Sequence, residues 1–168
     1  MKRNRIVLLV LAVILTLSLA SCASTKQGSS SSAQIVDDEY RNYYEIFVWS
    51  FYDTNNDGIG DLNGVKEKLS YVRDLGYNGI WLMPITVGTS YHKYDVEDYY
   101  DIDPQFGTLE DMRDLVNEAH SMGIDIIIDL VVNHSSSSHP WFKSACEYLV
   151  SHGQPGGEYG DYYNFSQT

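Results

Sequence analysis

The chain has 168 residues and a formal net charge of −12, with 23 acidic residues against 11 basic ones. A polyanion of this kind repels phosphate backbones and anionic headgroups, which excludes nucleic acid as a partner class. Cys22 and Cys146 are its only cysteines, too few for a disulfide framework or a cysteine-based zinc site.

Residues 1–21 read as a processing segment. Lys2, Arg3 and Arg5 form a basic start, Ile6 to Leu19 an apolar stretch, and Leu19-Ala20-Ser21-Cys22 closes it. The apolar stretch is shorter than the roughly 20 residues a spanning helix needs. The segment resembles a bacterial lipoprotein signal, in which cleavage precedes the cysteine. That resemblance implies a lipid on Cys22, export, and attachment to the outer side of a cell membrane. Residues 22–39, with Ser29 to Ser32 in a row, have the composition of a flexible tether, so folding is expected to start near residue 40.

Tyr44 to Trp49 has strand composition. Val65, Leu69, Val72 and Leu75 then recur at helical spacing and Gly76 follows as a C-cap. Gly79 to Met83 is a second strand, stopped by Pro84. Thr108 with Asp111 predicts a capped helix start, Leu109, Met112, Leu115, Val116 and Ala119 supply its apolar stripe, and Gly123 closes it. Ile124 to Val132 is a third strand, whose near-continuous Ile, Leu and Val predict burial on both faces. The alternation argues for parallel strands with right-handed crossovers, an α/β fold. Two long polar connections, Ser50 to Gly60 and Ile85 to Gly107, follow the first two strands, and loops at that end of a parallel sheet bind substrates. Beyond His134 the chain reads as loop, through Ser135 to Ser138, His139-Pro140 and a Gly- and Tyr-rich tail.

Three segments carry chemistry. Asp53, Asn55, Asp57 and Asp61 place oxygen-bearing side chains at alternate positions around Gly58, with the Ile59 carbonyl as a further donor, a pattern that suits calcium. An EF-hand is excluded, because its twelfth loop position, which needs a bidentate Glu, is Gly64. The segment from Ser90 to Tyr100 crowds four tyrosines among carboxylates, the composition that packs on sugar faces and accepts bonds from sugar hydroxyls. Finally, Asn133 and His134 end the third apolar run, where they either open a polar loop or belong to a site. Asp129 lies inside that run and needs a partner, since an unpaired buried carboxylate costs several kcal/mol. His134 and His139 do not make a zinc pair, for only serines lie between them and zinc needs three or four ligands.

Together the Asp53–Asp61 loop, Tyr94-Asp95 with Asp98-Tyr99, Phe106-Gly107-Thr108 and Asp129-Leu-Val-Val-Asn133-His134 resemble the α-amylase family, glycoside hydrolase family 13, over about residues 43–142. The resemblance implies a (β/α)8 TIM barrel, with about three β/α units in residues 40–134 and the start of an inserted loop domain in residues 135–168. It implies that Tyr94 stacks under the sugar before the cleaved bond and that His134 hydrogen-bonds the same sugar. Asn133 would brace the adjoining loop or a calcium ion, Asp129 would pair with an arginine outside this chain, and Asp53, Asn55, Asp57, Ile59 and Asp61 would hold structural calcium. Lys93 departs from the glycine of many members and is expected to set a long cation beside the stacking tyrosine.

Family members hydrolyse or transfer α-linked glucose chains with retention, using an aspartate nucleophile and a glutamate acid. Their motifs, a Gly-x-Arg-x-Asp pattern and a Glu-bearing strand, do not occur in these 168 residues, so no catalytic residue is expected among them. The expectation is therefore the amino-terminal part of an exported, lipid-anchored α-glucan hydrolase. The alternative is a truncated product without catalysis, or a surface lipoprotein that binds glycan or calcium.

Overall fold

The computed structural model describes residues 40–166. Strand β1 is Tyr43–Ile46, followed by a one-turn helix α1 at Val48–Phe51. Helices α2 (Leu62–Glu67) and α3 (Leu69–Asp74) lead to strand β2 (Gly79–Leu82). Then come β3 (Thr86–Gly88), β4 (Val96–Ile102), helix α4 (Leu109–Ser121) and strand β5 (Asp125–Ile128). Helix α5 (Pro140–His152) and a 3-10 turn at Gly160–Tyr162 complete the order.

β1, β2 and β5 form a parallel sheet in that order, with Glu45, Trp81 and Ile127 in register and Ile46, Leu82 and Ile128 one step beyond. The helices cover one face. Ile46, Ile80, Leu82 and Ile124 pack there with Val65, Leu69 and Val72 of the first crossover and Leu115 and Ala119 of α4, all essentially without solvent contact. Fully burying each such side chain contributes about 1.5–3 kcal/mol, which is why these positions are aliphatic.

Local chemistry explains where the elements begin and break. The Thr108 side chain accepts from Asp111 N, and the Asp111 carboxylate accepts from Thr108 N at 2.8 Å, so the predicted capping box starts α4. The single helix predicted through Val65 to Leu75 is instead two, because Lys68 leaves helical geometry at φ −98°, ψ 6°. Its N–H still reaches the Gly64 carbonyl at 3.2 Å, so the break is a kink in one crossover.

The remaining differences lie at the strand ends, in the connections that follow the first two strands, and after His134. The first strand stops at Ile46, because Val48 to Phe51 turn into α1. Residues read as a polar connection contain the antiparallel hairpin β3–β4, which is short and irregular, with register shifts on both sides of Val87. Residues after His134, read as loop, hold the 13-residue α5: His139 Nδ1 accepts from Trp141 N at 3.1 Å, and Pro140 occupies the first helical position, where its missing N–H costs nothing. β5 ends at Ile128, and among the described residues it is not buried on both faces, with Ile127 and Ile128 each more than 40% exposed.

Two glycines fix the connection after β1. A Cβ on Gly60 would lie 2.0 Å from the Val48 carbonyl oxygen, and one on Gly64 would lie 2.0 Å from that of Tyr52. In the intact protein, Thr108→Ala is expected to lower stability by about 1 kcal/mol. Gly64→Ala should cost more, since backbone must move to admit the methyl. Urea unfolding of both variants checks the order; a T108A midpoint equal to the parent's would show that the capping box contributes nothing.

Candidate functional site

The carboxyl ends of the three parallel strands carry the polar groups. Met83 N donates to Ile46 O at 3.1 Å and Asp129 N to Leu82 O at 3.1 Å, so the ladder continues one residue past β2 and past β5 and places Asp129 at the rim. Its carboxylate is gripped on both oxygens: Trp81 Nε1 donates to Oδ1 at 2.8 Å and the Tyr94 hydroxyl to Oδ2 at 2.5 Å. These are its partners among the described residues. They share the need for a donor that the sequence left to an arginine elsewhere. The Tyr94 phenol is pushed up to about 12, chiefly by the bond to Asp129, then by burial and by the charges of Asp129 and Glu45.

Tyr94 is presented by a tight turn. Asp95 accepts from Thr89 Oγ1 at 2.6 Å, from Ser90 N at 3.0 Å and from the Ser90 hydroxyl. Tyr94 N donates to His92 Nδ1 at 3.1 Å. On the other side His134 Nε2 lies 3.1 Å from Tyr94 O, a geometry in which Nε2 carries the proton. His134 Nδ1 then accepts from Asn133 Nδ2 at 3.3 Å. The structure thus brings Tyr94, Asp129, Asn133 and His134 together. The expected cation is not beside them: Lys93 points away and is 2% exposed, paired with Asp103 at 2.7 Å, because the hairpin supplies acceptors that solvent-facing geometry would not.

Further residues that sequence reasoning did not assign complete the site. Trp81 alternates with buried Ile80 and Leu82, and that period-two pattern put it on the Glu45 face of β2. The Tyr99 hydroxyl lies 2.7 Å from Val131 O and 3.1 Å from His134 O, clipping the segment after β5 to β4. A cavity of about 320 Å³ opens beside Asn133 and His134, walled by Tyr99, Trp141 and Tyr163. Trp141 stacks between Tyr99 and Tyr159 at centroid distances of 5.8 and 5.7 Å. His139 is buried beside these rings, and burial lowers its pKa.

The Asp53–Asp61 loop occupies the connection between α1 and α2. Asp53 accepts from Asn56 N at 2.7 Å, Gly58 N at 2.9 Å and Asn55 N at 3.1 Å, and the Gly58 amide foremost holds its carboxyl below the usual range. Asp57 accepts from Ile59 N at 2.8 Å and from Asn55 Nδ2 at 3.0 Å. Asp61 accepts from Thr54 N and from Gly64 N at the start of α2. The donors are all hard oxygens and none of the ion pairs among the described residues reaches them, which suits a divalent cation. As arranged, each carboxylate is turned onto loop amides, and among the described residues no three acidic, His or Cys side chains gather about one point. Cys22 lies outside the described residues.

Residues 45–168 match the family described as alpha amylase, catalytic domain. The chain belongs to the alpha-amylase family. Alpha-amylase 3 of Dictyoglomus thermophilum is 51% identical over 129 residues, covering 76% of this chain and 25% of that protein. An oligo-1,6-glucosidase of Heyndrickxia coagulans is 52% identical over 100 residues, covering 59% of this chain and 18% of its own. Among solved structures, Eubacterium rectale Amy13B superposes with a TM-score of 0.74 at 53% identity, over 78% of this chain and 26% of that one. The chain therefore spans about a quarter of the length of the first of these relatives, and its sheet and crossovers are part of the TIM barrel of alpha-amylase family enzymes.

The Asp95 turn makes a pH prediction. Burial works to raise its carboxyl but is outweighed by the hydrogen bonds of Ser90 and Thr89, which bring it from 3.8 down to about 2. A depressed folded pKa contributes stability that is complete above the unfolded value and is lost as pH falls through the folded one. The parent should thus lose stability between about pH 4 and pH 2 more steeply than Asp95→Asn, measured by thermal melts across that range. Parallel curves for the two proteins would reject the assignment.

Proposed function

We propose that this chain is the amino-terminal, substrate-gripping part of a retaining α-glucan hydrolase, with nucleophile and acid supplied from outside residues 1–168. The reading is carried by one observation, the convergence of Tyr94, Asp129 and His134 at the carboxyl ends of parallel strands. That end of such a sheet is where barrel enzymes work. The half-buried Tyr94 ring offers an apolar face to a pyranose. On sugar entry, His134 Nε2 exchanges the Tyr94 carbonyl for a hydroxyl, and Asp129 holds the Tyr94 ring at a fixed tilt while it does so.

In the same proposal, Asp53, Asn55, Asp57, Asp61 and the Ile59 carbonyl hold calcium once their side chains exchange loop amides for the ion, and the ion stiffens the connection to α2. The protein is exported and attached to the outer side of a cell membrane through a lipid on Cys22. Asn133 orients the His134 ring rather than touching sugar, because its amide lies against Nδ1.

The intact protein should hydrolyse α-linked gluco-oligosaccharides and release product with the anomeric configuration retained, followed by proton NMR. His134→Ala is expected to lose on the order of a hundredfold in kcat, as removal of one aimed donor does elsewhere. An intact protein that binds oligosaccharide without cleaving it would instead favour a surface glycan-binding role. For the loop, Asp57→Ala should abolish the rise in melting temperature that calcium gives the parent. Equal calcium responses in the two proteins would exclude the loop as the site.

A further inference from the structure

Lys93 sits immediately before Tyr94, yet its side chain leaves the sugar-facing side altogether. Its backbone is in the left-handed region at φ 59°, a conformation that favours glycine. Its ammonium group lies 2.7 Å from Asp103 Oδ2, 2.7 Å from Gly88 O and 2.9 Å from Gln105 Oε1. An ammonium has three protons to donate, and here all three have acceptors. Asp103 is equally committed, taking Gly88 N on Oδ2 at 3.3 Å and Gln105 N on Oδ1 at 3.0 Å. Both side chains are more than nine-tenths buried, and Phe106 lies under the ammonium at 5.7 Å.

A buried pair of this kind is weak evidence for stability, since apolar replacements are often as stable. What it supplies is a defined geometry. It ties the strained residue to the end of β3 and to the turn after β4, and the next residue in the chain is the one held at amide, carbonyl and hydroxyl by His92, His134 and Asp129. We infer that Lys93 is a positioning residue for Tyr94: its buried contacts to Asp103, Gly88 and Gln105 lock the left-handed turn and so set the height and tilt of the Tyr94 ring. The inference rests on the reading of Tyr94 as the sugar-stacking residue.

The test uses the intact protein with Lys93→Met and Asp103→Asn combined, so that no buried charge is left unpaired and folding is preserved. Tyrosines are replaced by fluorotyrosine and the Tyr94 fluorine resonance is assigned with Tyr94→Phe. The double variant should show a displaced Tyr94 resonance and about a tenfold loss of kcat/KM on malto-oligosaccharide, the scale expected when a contact residue is slightly misplaced. In a Tyr94→Ala background the same pair of substitutions should add no further loss. An unmoved resonance, or a loss of the same size in both backgrounds, would overturn the inference. If the parent itself neither binds nor cleaves α-glucan, the proposed function fails, and the resonance alone still decides the role of Lys93.

Discussion

The carboxylate of Asp129 is the group on which the arrangement of the site depends. It stands one residue past an apolar strand and is half-buried, so its charge is shielded from only part of the solvent and draws on donors from the protein for the rest. Trp81 Nε1 and the Tyr94 hydroxyl meet that demand from 48 and 35 residues away in sequence. One carboxylate therefore ties a neighbouring strand and a long connection to the tip of β5. The Tyr94 ring is oriented by the same bond that satisfies the charge.

Around that bond the site is built from groups acting in pairs. Asn133 orients His134, His134 meets the carbonyl of Tyr94, and His92 takes the amide of the same residue. The Asp53–Asp61 loop stands apart in chemistry, with its carboxylates engaged by local amides. Its place is set by backbone: Gly60 N donates to Trp49 O at 2.7 Å and Asp61 N to Tyr52 O at 3.1 Å.

How far the sequence reveals this depends on the range of the forces involved. The parallel strands, the capping box of α4 and the glycine at its end are local matters of periodicity and turn chemistry, and they are readable from the residues alone. The resemblance to the family was likewise legible, because its motifs stand in order along the chain. The β3–β4 hairpin was not, since β3 is three residues long and its pairing is irregular. Helix α5 was missed because a serine run and His139-Pro140 look like loop until Pro140 is seen as a helix start. The side chain of Lys93 misled for a different reason: its direction is decided by Asp103 and Gln105, contacts ten and twelve residues on that no local pattern announces. Trp81 was visible in the alternation of β2, but its tie to Asp129 is a tertiary fact.

Among the described residues, the hydrogen bonds of the Tyr99 hydroxyl go to main-chain oxygens, those of Val131 and His134. A carbonyl presents the same acceptor whatever side chain its residue bears. The clasp across residues 131–134 is thus indifferent to the identities it holds; the side chains of that segment are fixed by other contacts, Val131 by burial and His134 by the Tyr94 carbonyl. It fixes the backbone of residues 131–134 without calling on the side chains of Asn133 and His134, which meet each other and the Tyr94 carbonyl instead.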